Sequence, residues 1–112
     1  MAYTPNTYRQ QKLSVTGNTT FTIPANMTIL QIVVENTTVN AVTGGIKIGT
    51  TDGGTEVVAA LLVGANELTT ILDATILKRA FSLSTDTTLY INTVTLWNSA
   101  NLNFYFLLTR II

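Results

Sequence analysis

Residues 102–110 read Leu-Asn-Phe-Tyr-Phe-Leu-Leu-Thr-Arg, and this stretch decides the fold class. Successive side chains of an extended strand point to opposite faces. One face of this strand is apolar throughout and consists of Leu102, Phe104, Phe106 and Leu108. Tyr105 and Leu107 make the other face mostly apolar as well. A strand that is apolar on both faces is expected in the interior of a sheet, with protein packed on each side.

Shorter segments with the same alternation recur along the chain, and Gly, Pro, Asn and Asp residues separate them. Such spacing is typical of an all-β sandwich or barrel. The apolar faces are numerous enough for two packed sheets, so we expect an antiparallel β-sandwich of eight or nine strands with a jelly-roll topology. The expected strands before residue 102 are 12–16, 19–23, 28–35, 46–48, 56–63, 68–72, one that begins at Phe81 and Leu83, and 89–92, with 94–97 as its candidate extension.

Two short segments have the residue types of tight turns. Gly17-Asn18 is expected to close a hairpin between strands 12–16 and 19–23, because Gly in the first position suits a type II′ turn. Asp52-Gly53 is expected to form a plain turn, because Asp-Gly supplies the positive φ angles of a tight hairpin. The Lys of a phosphate-binding loop is missing there. In strand 28–35, the alternation assigns the core face to Leu30, Ile32 and Val34.

The segment after Glu67 has two interpretations. Its Leu and Ile residues have helical spacing, whereas the run Thr69-Thr70-Ile71 is β-branched and favours a strand. We expect a strand as far as Leu72 and then one short helical segment of one or two turns through Arg79. Asp73 is the expected N-cap of that segment.

The chain is short, weakly charged and rich in apolar residues, with 112 residues of which 46% are hydrophobic and 11% charged. Its length fits one domain. Small domains bury a limited fraction of their surface, which favours burial in an oligomer. Six basic and six acidic residues give no net charge, so nucleic acid and membranes are not expected partners.

The residue types also limit the chemistry. The sequence has no Cys and no His, which removes thiolate chemistry and the commonest general base and metal ligand. No spacing pairs two carboxylates across a cleft, as glycosidases require. Asp52, Asp73 and Asp86 fall where turns and caps favour Asp, and no EF-hand spacing supports calcium. We therefore expect no enzymatic activity, no cofactor and no metal.

Both ends of the sequence are expected to contact a partner. Residues 1–10 are interpreted as an arm in front of a domain over 11–112, with a frayed terminus as the alternative. The candidate anchoring residues of the arm are Tyr3, Tyr8 and Arg9, types favoured at interfaces. At the other end, Ile111 and Ile112 would enlarge an apolar patch of the kind that marks interaction surfaces. The expected oligomer interface consists of Tyr105, Leu107, Ile111 and Ile112.

A candidate ligand site lies in the last quarter of the sequence. Amphipathic aromatic rings can stack on a sugar, and the Asn beside Trp97 can hydrogen-bond its hydroxyl groups. The expected ligand-binding residues are Tyr90, Trp97 and Asn98, with Tyr105 as a further ring. The alternative is that these aromatic residues belong to the core or to a subunit interface. An exposed Trp97 would favour the sugar site, and a buried one would favour the interface.

Several segments resemble small β-sandwich proteins of tailed bacteriophage particles. They are Ile-Pro-Ala-Asn at 23–26, Ile-Val-Val-Glu-Asn-Thr-Thr at 32–38, Gly-Gly-Ile-Lys-Ile-Gly-Thr at 44–50, Asp-Gly-Gly-Thr-Glu-Val-Val at 52–58, Leu-Lys-Arg at 77–79, Leu-Tyr-Ile at 89–91 and Trp-Asn-Ser-Ala at 97–100. The resemblance spans most of residues 20–110. It contains no site motif, so it transfers no functional residue.

This resemblance implies a non-enzymatic structural virion protein, such as a capsid decoration, a head fibre or a tail-fibre tip. Proteins of this kind are commonly trimers, and some bind glycans of the host surface. We therefore expect a homotrimer whose partners are other virion proteins, such as the major capsid protein. Its expected location is the virion, after synthesis in the host cytoplasm. The alternative function is a carbohydrate-binding module that recognises a host cell surface.

Overall fold

The computed structural model describes residues 7–71 and 81–112. Their regular secondary structure consists of eight β-strands, without a helix in these two ranges. The strands are β1 (Thr7–Val15), β2 (Thr19–Ile23), β3 (Met27–Asn36), β4 (Ile46–Gly49), β5 (Val58–Leu61), β6 (Leu68–Ile71), β7 (Thr87–Thr93) and β8 (Leu102–Arg110). The helical segment expected at 73–79 and the candidate anchor Tyr3 lie outside the described residues.

The eight strands form two antiparallel four-stranded sheets that pack together. Sheet A has the order β1-β8-β3-β6, and sheet B has the order β2-β7-β4-β5. Strands from the two ends of the chain pair in a nested series, β1 with β8, β2 with β7, β3 with β6 and β4 with β5. The expected antiparallel β-sandwich is confirmed.

Strand β8 lies between β1 and β3, which confirms its expected interior position. Its inward side chains are fully buried and comprise Leu102, Phe104, Phe106 and Leu108. The Phe106 ring stacks on Phe21 of sheet B at a centroid distance of 4.0 Å and on Phe104 at 6.2 Å. These rings join the two sheets, and removal of such apolar area from water is the main stabilising contribution to folding.

Strand β3 departs from the regular alternation expected from its sequence. Its register with β8 shifts between Ile29 and Gln31, so Leu30 is an extra residue at a β-bulge. The bulge moves Ile29 into the core and leaves Leu30 partly exposed. The expected core position of Leu30 is therefore wrong, whereas Ile32 and Val34 face the core as expected.

The first two strands do not form the expected hairpin. Strand β1 belongs to sheet A and β2 to sheet B, so residues 16–18 cross between the sheets. The register of β1 shifts between Lys12 and Val15, and Ser14 adopts a φ of +57° at this bend. The hairpin preference of Gly17-Asn18 is not realised, because β1 buries its apolar residues as part of sheet A and β2 buries its own as part of sheet B.

The Asp52-Gly53 turn is present within the longer connection 50–57. The Gly54 N–H donates to the Thr51 carbonyl oxygen at 2.9 Å, and Gly53 adopts a φ of +79°. A positive φ at the third turn position is characteristic of a type II turn. Strands β4 and β5 pair on either side of it, although β5 is shorter than the expected strand 56–63.

The strand expected to begin at Phe81 and Leu83 is absent. Residues 81–86 are irregular, with a bend at 83–85, and the side chains of Phe81 and Leu83 are about half exposed. The Ser82 hydroxyl instead hydrogen-bonds the Thr85 hydroxyl at 2.9 Å and accepts the Thr85 N–H at 3.2 Å. Such local bonds compete with strand pairing. Strand β7 confirms the next expected strand, and 94–97 adds only an isolated bridge with Thr43.

The expected boundary between an arm and the domain after residue 10 does not match the strand assignment. Residues 7–10 are the first part of β1 and pair with β8, so they belong to the sheet. Tyr8 contacts its own chain: its hydroxyl accepts a hydrogen bond from Arg110 Nη2 at 2.8 Å, and its ring centroid lies 6.0 Å from the guanidinium carbon. Arg9 is exposed.

Asn26 holds the last two residues of the chain. Its carbonyl oxygen accepts the Ile111 N–H at 3.0 Å. Its side chain accepts the Ile112 N–H at 3.1 Å and donates to the Ile112 carbonyl oxygen at 2.6 Å. The backbone is thereby fixed while the Ile112 side chain stays 81% exposed.

Candidate functional site

Each sheet has an outer face, which is the side turned away from the core. The outer face of sheet A consists, by alternation and register, of Arg9, Gln11, Leu13, Gln31, Val33, Glu35, Leu68, Thr70, Asn103, Tyr105 and Leu107. The outer face of sheet B consists of Thr20, Thr22, Lys47, Thr88, Tyr90 and Asn92. The two faces differ in chemistry, so the candidate sites on them differ as well.

A shallow depression lies at one end of the outer face of sheet B. Its volume is about 230 Å³, and we call it the Tyr90 depression. Its lining residues come from three parts of the chain and are Asn18, Thr19, Thr20, Asp52, Tyr90 and Asn92. Tyr90 is half-buried, and Asn92 is buried. Side chains from β2, β7 and the 50–57 connection thus converge on one small surface, as in a ligand site.

Asp52 enters the Tyr90 depression from the 50–57 connection. One of its carboxylate oxygens, Oδ1, accepts a hydrogen bond from Asn92 Nδ2 at 3.2 Å. The connection is held by Glu56, whose carboxylate accepts the Thr50 N–H at 2.9 Å and the Thr51 hydroxyl at 3.0 Å. A Cβ on Gly54 would overlap this carboxylate, so a larger residue there would displace the Glu56 side chain from its present position.

The hydrogen bonds that hold Glu56 also favour its ionised form. Its own backbone amide, the Thr51 hydroxyl and the backbone amides of Thr50 and Thr51 lower the pKa of Glu56 below its usual 4.5, against a smaller opposite effect of desolvation. The loop that carries Asp52 is therefore held by a charged carboxylate at neutral pH.

Asn18 links the depression to Trp97. Its Oδ1 accepts a hydrogen bond from Trp97 Nε1 at 2.7 Å and a longer one from the Thr93 N–H at 3.4 Å. The Trp97 ring is partly buried and packs against the core. Trp97 therefore orients Asn18 and does not itself line the depression.

The three sequence-predicted ligand residues do not form one surface. Tyr90 lines the depression, and Trp97 reaches it only through Asn18. Asn98 has a turn role, with a φ of +55° and a bond from its Nδ2 to the Ala41 carbonyl oxygen at 3.0 Å. Tyr105 lies on the opposite sheet.

Sequence reasoning missed three of the polar lining residues. Asn18 and Asp52 stand in turn signals and were explained by backbone geometry alone, while Asn92 was assigned only to a strand. Strand alternation could have found Asn92, because it places Asn92 on the same face of β7 as Tyr90, with Thr20 opposite Tyr90. Asn18 and Asp52 lie in connections, which strand register does not place. That register cannot be read from the sequence of one strand.

The outer face of sheet A carries the expected interface residues of β8. The register sets Tyr105 between Gln11 and Val33, and it sets Leu107 between Arg9 and Gln31. Tyr105 and Leu107 are half-buried by these neighbours. Leu68 and Leu13, near the two edges, are 66% and 49% exposed. Tyr105, Leu107 and Val33 thus form a small apolar strip at the centre of this face, and polar side chains separate it from Leu68 and Leu13 near the edges.

A second depression of about 330 Å³ lies beside the β1–β2 crossover. Its lining is the continuous segment 12–19, so it is the concave side of one bend. It adjoins the Tyr90 depression at Asn18 and Thr19. Because no side chains from other strands converge on it, we assign the candidate site to the Tyr90 depression.

Within residues 7–71 and 81–112, no three acidic side chains are grouped so that they could hold a metal ion. The same ranges contain no helix that is long and apolar enough to cross a membrane. Comparison of this chain with protein-family models, with curated proteins and with solved structures finds no match. The site is therefore interpreted from its own geometry.

Proposed function

We propose that this chain is a non-enzymatic structural protein of a tailed-bacteriophage virion, namely a capsid decoration or head-fibre component that assembles with copies of itself. The observation that carries the assembly proposal is the outer face of sheet A, where Tyr105 and Leu107 lie at the centre of an apolar strip. The assignment to a virion rests on the sequence resemblance described above.

The apolar strip is suited to a contact between copies. Burial of the apolar area of this strip between two copies would contribute roughly 25 cal/mol per Å². The charged residues of this face are Arg9 and Glu35, and Glu35 already accepts a hydrogen bond from Asn103 at 2.9 Å. Few charges would therefore have to be desolvated. Ile111 and Ile112 would extend the contact at its rim.

The nested strand pairing supports the proposal as well. We infer that the sandwich is a jelly roll, because a long hairpin rolled into two four-stranded sheets pairs first with last strand and second with seventh. Jelly rolls occur in viral capsid proteins and in lectins. The resemblance implies a trimer, with other virion proteins such as the major capsid protein as neighbours.

Light scattering of the purified chain at micromolar concentration tests the assembly. The wild type should have the mass of an oligomer, and Leu107→Asp should be a monomer because an unpaired charge would be buried in the contact. The matched control is Thr88→Asp, which places the same charge on the exposed centre of the other outer face and should leave the mass unchanged. A monomeric wild type, or a Leu107→Asp variant of wild-type mass, contradicts the proposal.

A second candidate function is recognition of a glycan on a cell surface. The Tyr90 depression favours it, because an aromatic side chain stands there beside amide and carboxylate groups. Labelled protein applied to an array of bacterial surface polysaccharides tests this function. Binding to at least one polysaccharide is expected, and the absence of binding throughout the array would contradict it.

A further inference from the structure

We propose that the Tyr90 depression binds one uncharged pyranose ring, with Asn92 and Asp52 accepting hydrogen bonds from two adjacent sugar hydroxyls and Asn18 donating a third. This inference rests on the second function proposed above. It adds the residues of the site and the chemical class of the ligand.

Two polar side chains are buried among the described residues, Asn36 and Asn92, which are 2% and 4% exposed. The Asn36 amide is satisfied at both ends: its Nδ2 donates to the carbonyl oxygens of Asn40 and Gly64, and its Oδ1 accepts from the N–H and hydroxyl of Thr38. Asn36 is therefore a structural residue that holds a loop.

Asn92 has a different pattern. Among the described residues, its side chain makes one hydrogen bond, from Nδ2 to Asp52. Its Oδ1 accepts no hydrogen bond from the described residues and is open to the depression, since Thr28 Oγ1 is the only fully enclosed side-chain oxygen or nitrogen without a partner in these residues. Because Asn92 lines the depression, a ligand hydroxyl placed there would satisfy this oxygen.

Asp52 supplies the second acceptor. The bond from Asn92 engages Oδ1, so Oδ2 remains on an exposed side chain. Hydrogen bonds to an ionised acceptor are shorter and stronger than neutral ones. The bond between the two residues also fixes both acceptors relative to each other, which reduces the entropy lost on binding.

Asn18 supplies the donor. Trp97 Nε1 can only donate, so its 2.7 Å bond identifies the bonded atom of Asn18 as Oδ1. Nδ2 is then the group that Asn18, as a lining residue of the depression, can offer as a donor to a ligand. Trp97 is consequently a positioning residue of the site, which gives the sequence-predicted aromatic residue a role different from stacking.

Size and charge define the ligand class. Sites for drug-sized ligands occupy about 300–1,000 Å³, so a depression of about 230 Å³ fits a single ring such as a terminal sugar. Two acceptors and one donor match hydroxyl groups, which both donate and accept. The charged lining residue is Asp52, which repels carboxylated sugars. Lys47 lies on the same face, opposite Asn92, but outside the lining.

Calcium is a poorer fit for the same atoms. It requires six to eight oxygen ligands, commonly from several carboxylates, whereas the depression contains one carboxylate. Its remaining lining groups include an aromatic ring and the Asn18 donor, neither of which binds a cation as a ligand. An apolar ring surface beside fixed acceptors suits a sugar, whose C–H and O–H groups occupy different faces.

The inference is tested by titrating the ¹⁵N-labelled full chain with the methyl glycosides of glucose, galactose, mannose and N-acetylglucosamine, and with that of glucuronate as the charged control. At least one neutral glycoside should bind with a millimolar Kd, as expected for a ligand of few atoms. The side-chain amide signals of Asn18 and Asn92 and the indole signal of Trp97 should shift. Methyl glucuronide should bind more weakly.

Substitutions assign the binding to these residues. Asp52→Asn should weaken sugar binding by about tenfold or more because it removes the charge of the acceptor. Tyr90→Ala should weaken it by a similar factor because it removes the ring against which the sugar packs. Thr22→Ala, on the same face outside the depression, and Tyr105→Ala, on the other sheet, are the matched controls and should keep the wild-type Kd.

The outcomes separate the site from the function. If no neutral glycoside shifts any signal, the site and the glycan function both fail. If a glycoside binds with the same Kd to wild type, Asp52→Asn and Tyr90→Ala, glycan binding stands and this site is wrong. If methyl glucuronide binds as tightly as the best neutral glycoside, the proposed ligand class is wrong. None of these results depends on oligomer mass, which tests the assembly proposal alone.

Discussion

The two outer faces of the sandwich have different chemistry on the same architecture. Both sheets bury aliphatic and aromatic residues on the inside, with Phe106 of sheet A stacked on Phe21 of sheet B. On the outside, sheet A presents Tyr105 and Leu107 at its centre, whereas the polar strand β7 presents Thr88 and Tyr90 in sheet B. Inner faces must be apolar for the sheets to pack, so it is the outer faces that can vary with function.

The difference also separates two kinds of interaction. An apolar face gains free energy when any complementary surface covers it, because the hydrophobic effect is non-directional. A polar face gains only if its donors and acceptors find matched partners, since unpaired polar groups are costly to bury. Sheet A is therefore suited to assembly, and sheet B is suited to a small ligand with specific hydroxyl positions.

The largest loss of stability is expected from a substitution in the core, which supports both outer faces. Phe106→Ala should lower the free energy of unfolding by about 3–5 kcal/mol, as for other buried Phe truncations. Because Phe106 stacks on rings of both sheets, assembly and sugar binding should be lost together. Chemical denaturation measures the change. A folded Phe106→Ala variant of near wild-type stability would show that the two sheets do not depend on this contact.

A smaller loss is expected when residues 1–10 are deleted. The deletion removes the first four residues of β1, which pair with β8, together with the Tyr8 bond to Arg110. A net loss equivalent to two hydrogen bonds, at about 0.5–1.5 kcal/mol each, should lower the free energy of unfolding by about 1–3 kcal/mol. Arg9→Ala keeps the strand and should change it little. An unchanged thermal midpoint after the deletion would restore the interpretation of this whole segment as an arm.

Much of the fold could be predicted because it depends on local alternation. The β8 pattern alone indicated an interior strand with Phe104 and Phe106 inward, and both are buried. The predicted core face of β3 was wrong at Leu30, because a bulge there interrupts the in-and-out alternation of side chains. The bulge depends on the pairing of β3 with β8, which the sequence of β3 does not contain. The predicted hairpin at Gly17-Asn18 was also wrong, because the local preference for a turn contributes less free energy than burial of β1 and β2 in two separate sheets.

The candidate site was less predictable for a related reason. Tyr90 was identified because an aromatic residue in a strand is visible in the sequence. Asn92 and Asp52 are 40 residues apart in sequence, and only the folded chain brings them together. The bond from Trp97 to Asn18 could not be read from the sequence either, because it depends on the crossover after β1.

A reciprocal pair of variants tests the comparison of the faces directly. Tyr105→Ala and Tyr90→Ala remove the same ring from half-buried positions on interior strands of opposite sheets. Tyr105→Ala should weaken assembly, by about tenfold or more if the contact loses 1.4 kcal/mol, and should keep the sugar Kd. Tyr90→Ala should do the reverse. Sedimentation and the glycoside titration measure the two effects, and any variant that reduces both would show that the faces are not independent.

The smallest expected effect concerns the connection that carries Asp52. Because hydrogen bonds lower the pKa of Glu56 below 4.5, its ionised form stabilises the fold at neutral pH. This contribution is fully present above pH 4.5 and is lost as the pH falls through the lower folded-state value. The thermal midpoint of Glu56→Gln should therefore lie slightly below that of the wild type at pH 7, and the two should converge in acid.

Thr51→Ala removes one of the bonds to the Glu56 carboxylate and should begin to lose stability at a higher pH than the wild type does. Since this connection serves only sheet B, Glu56→Gln should keep the oligomer mass, and a change in mass would mean that the connection also supports the apolar face.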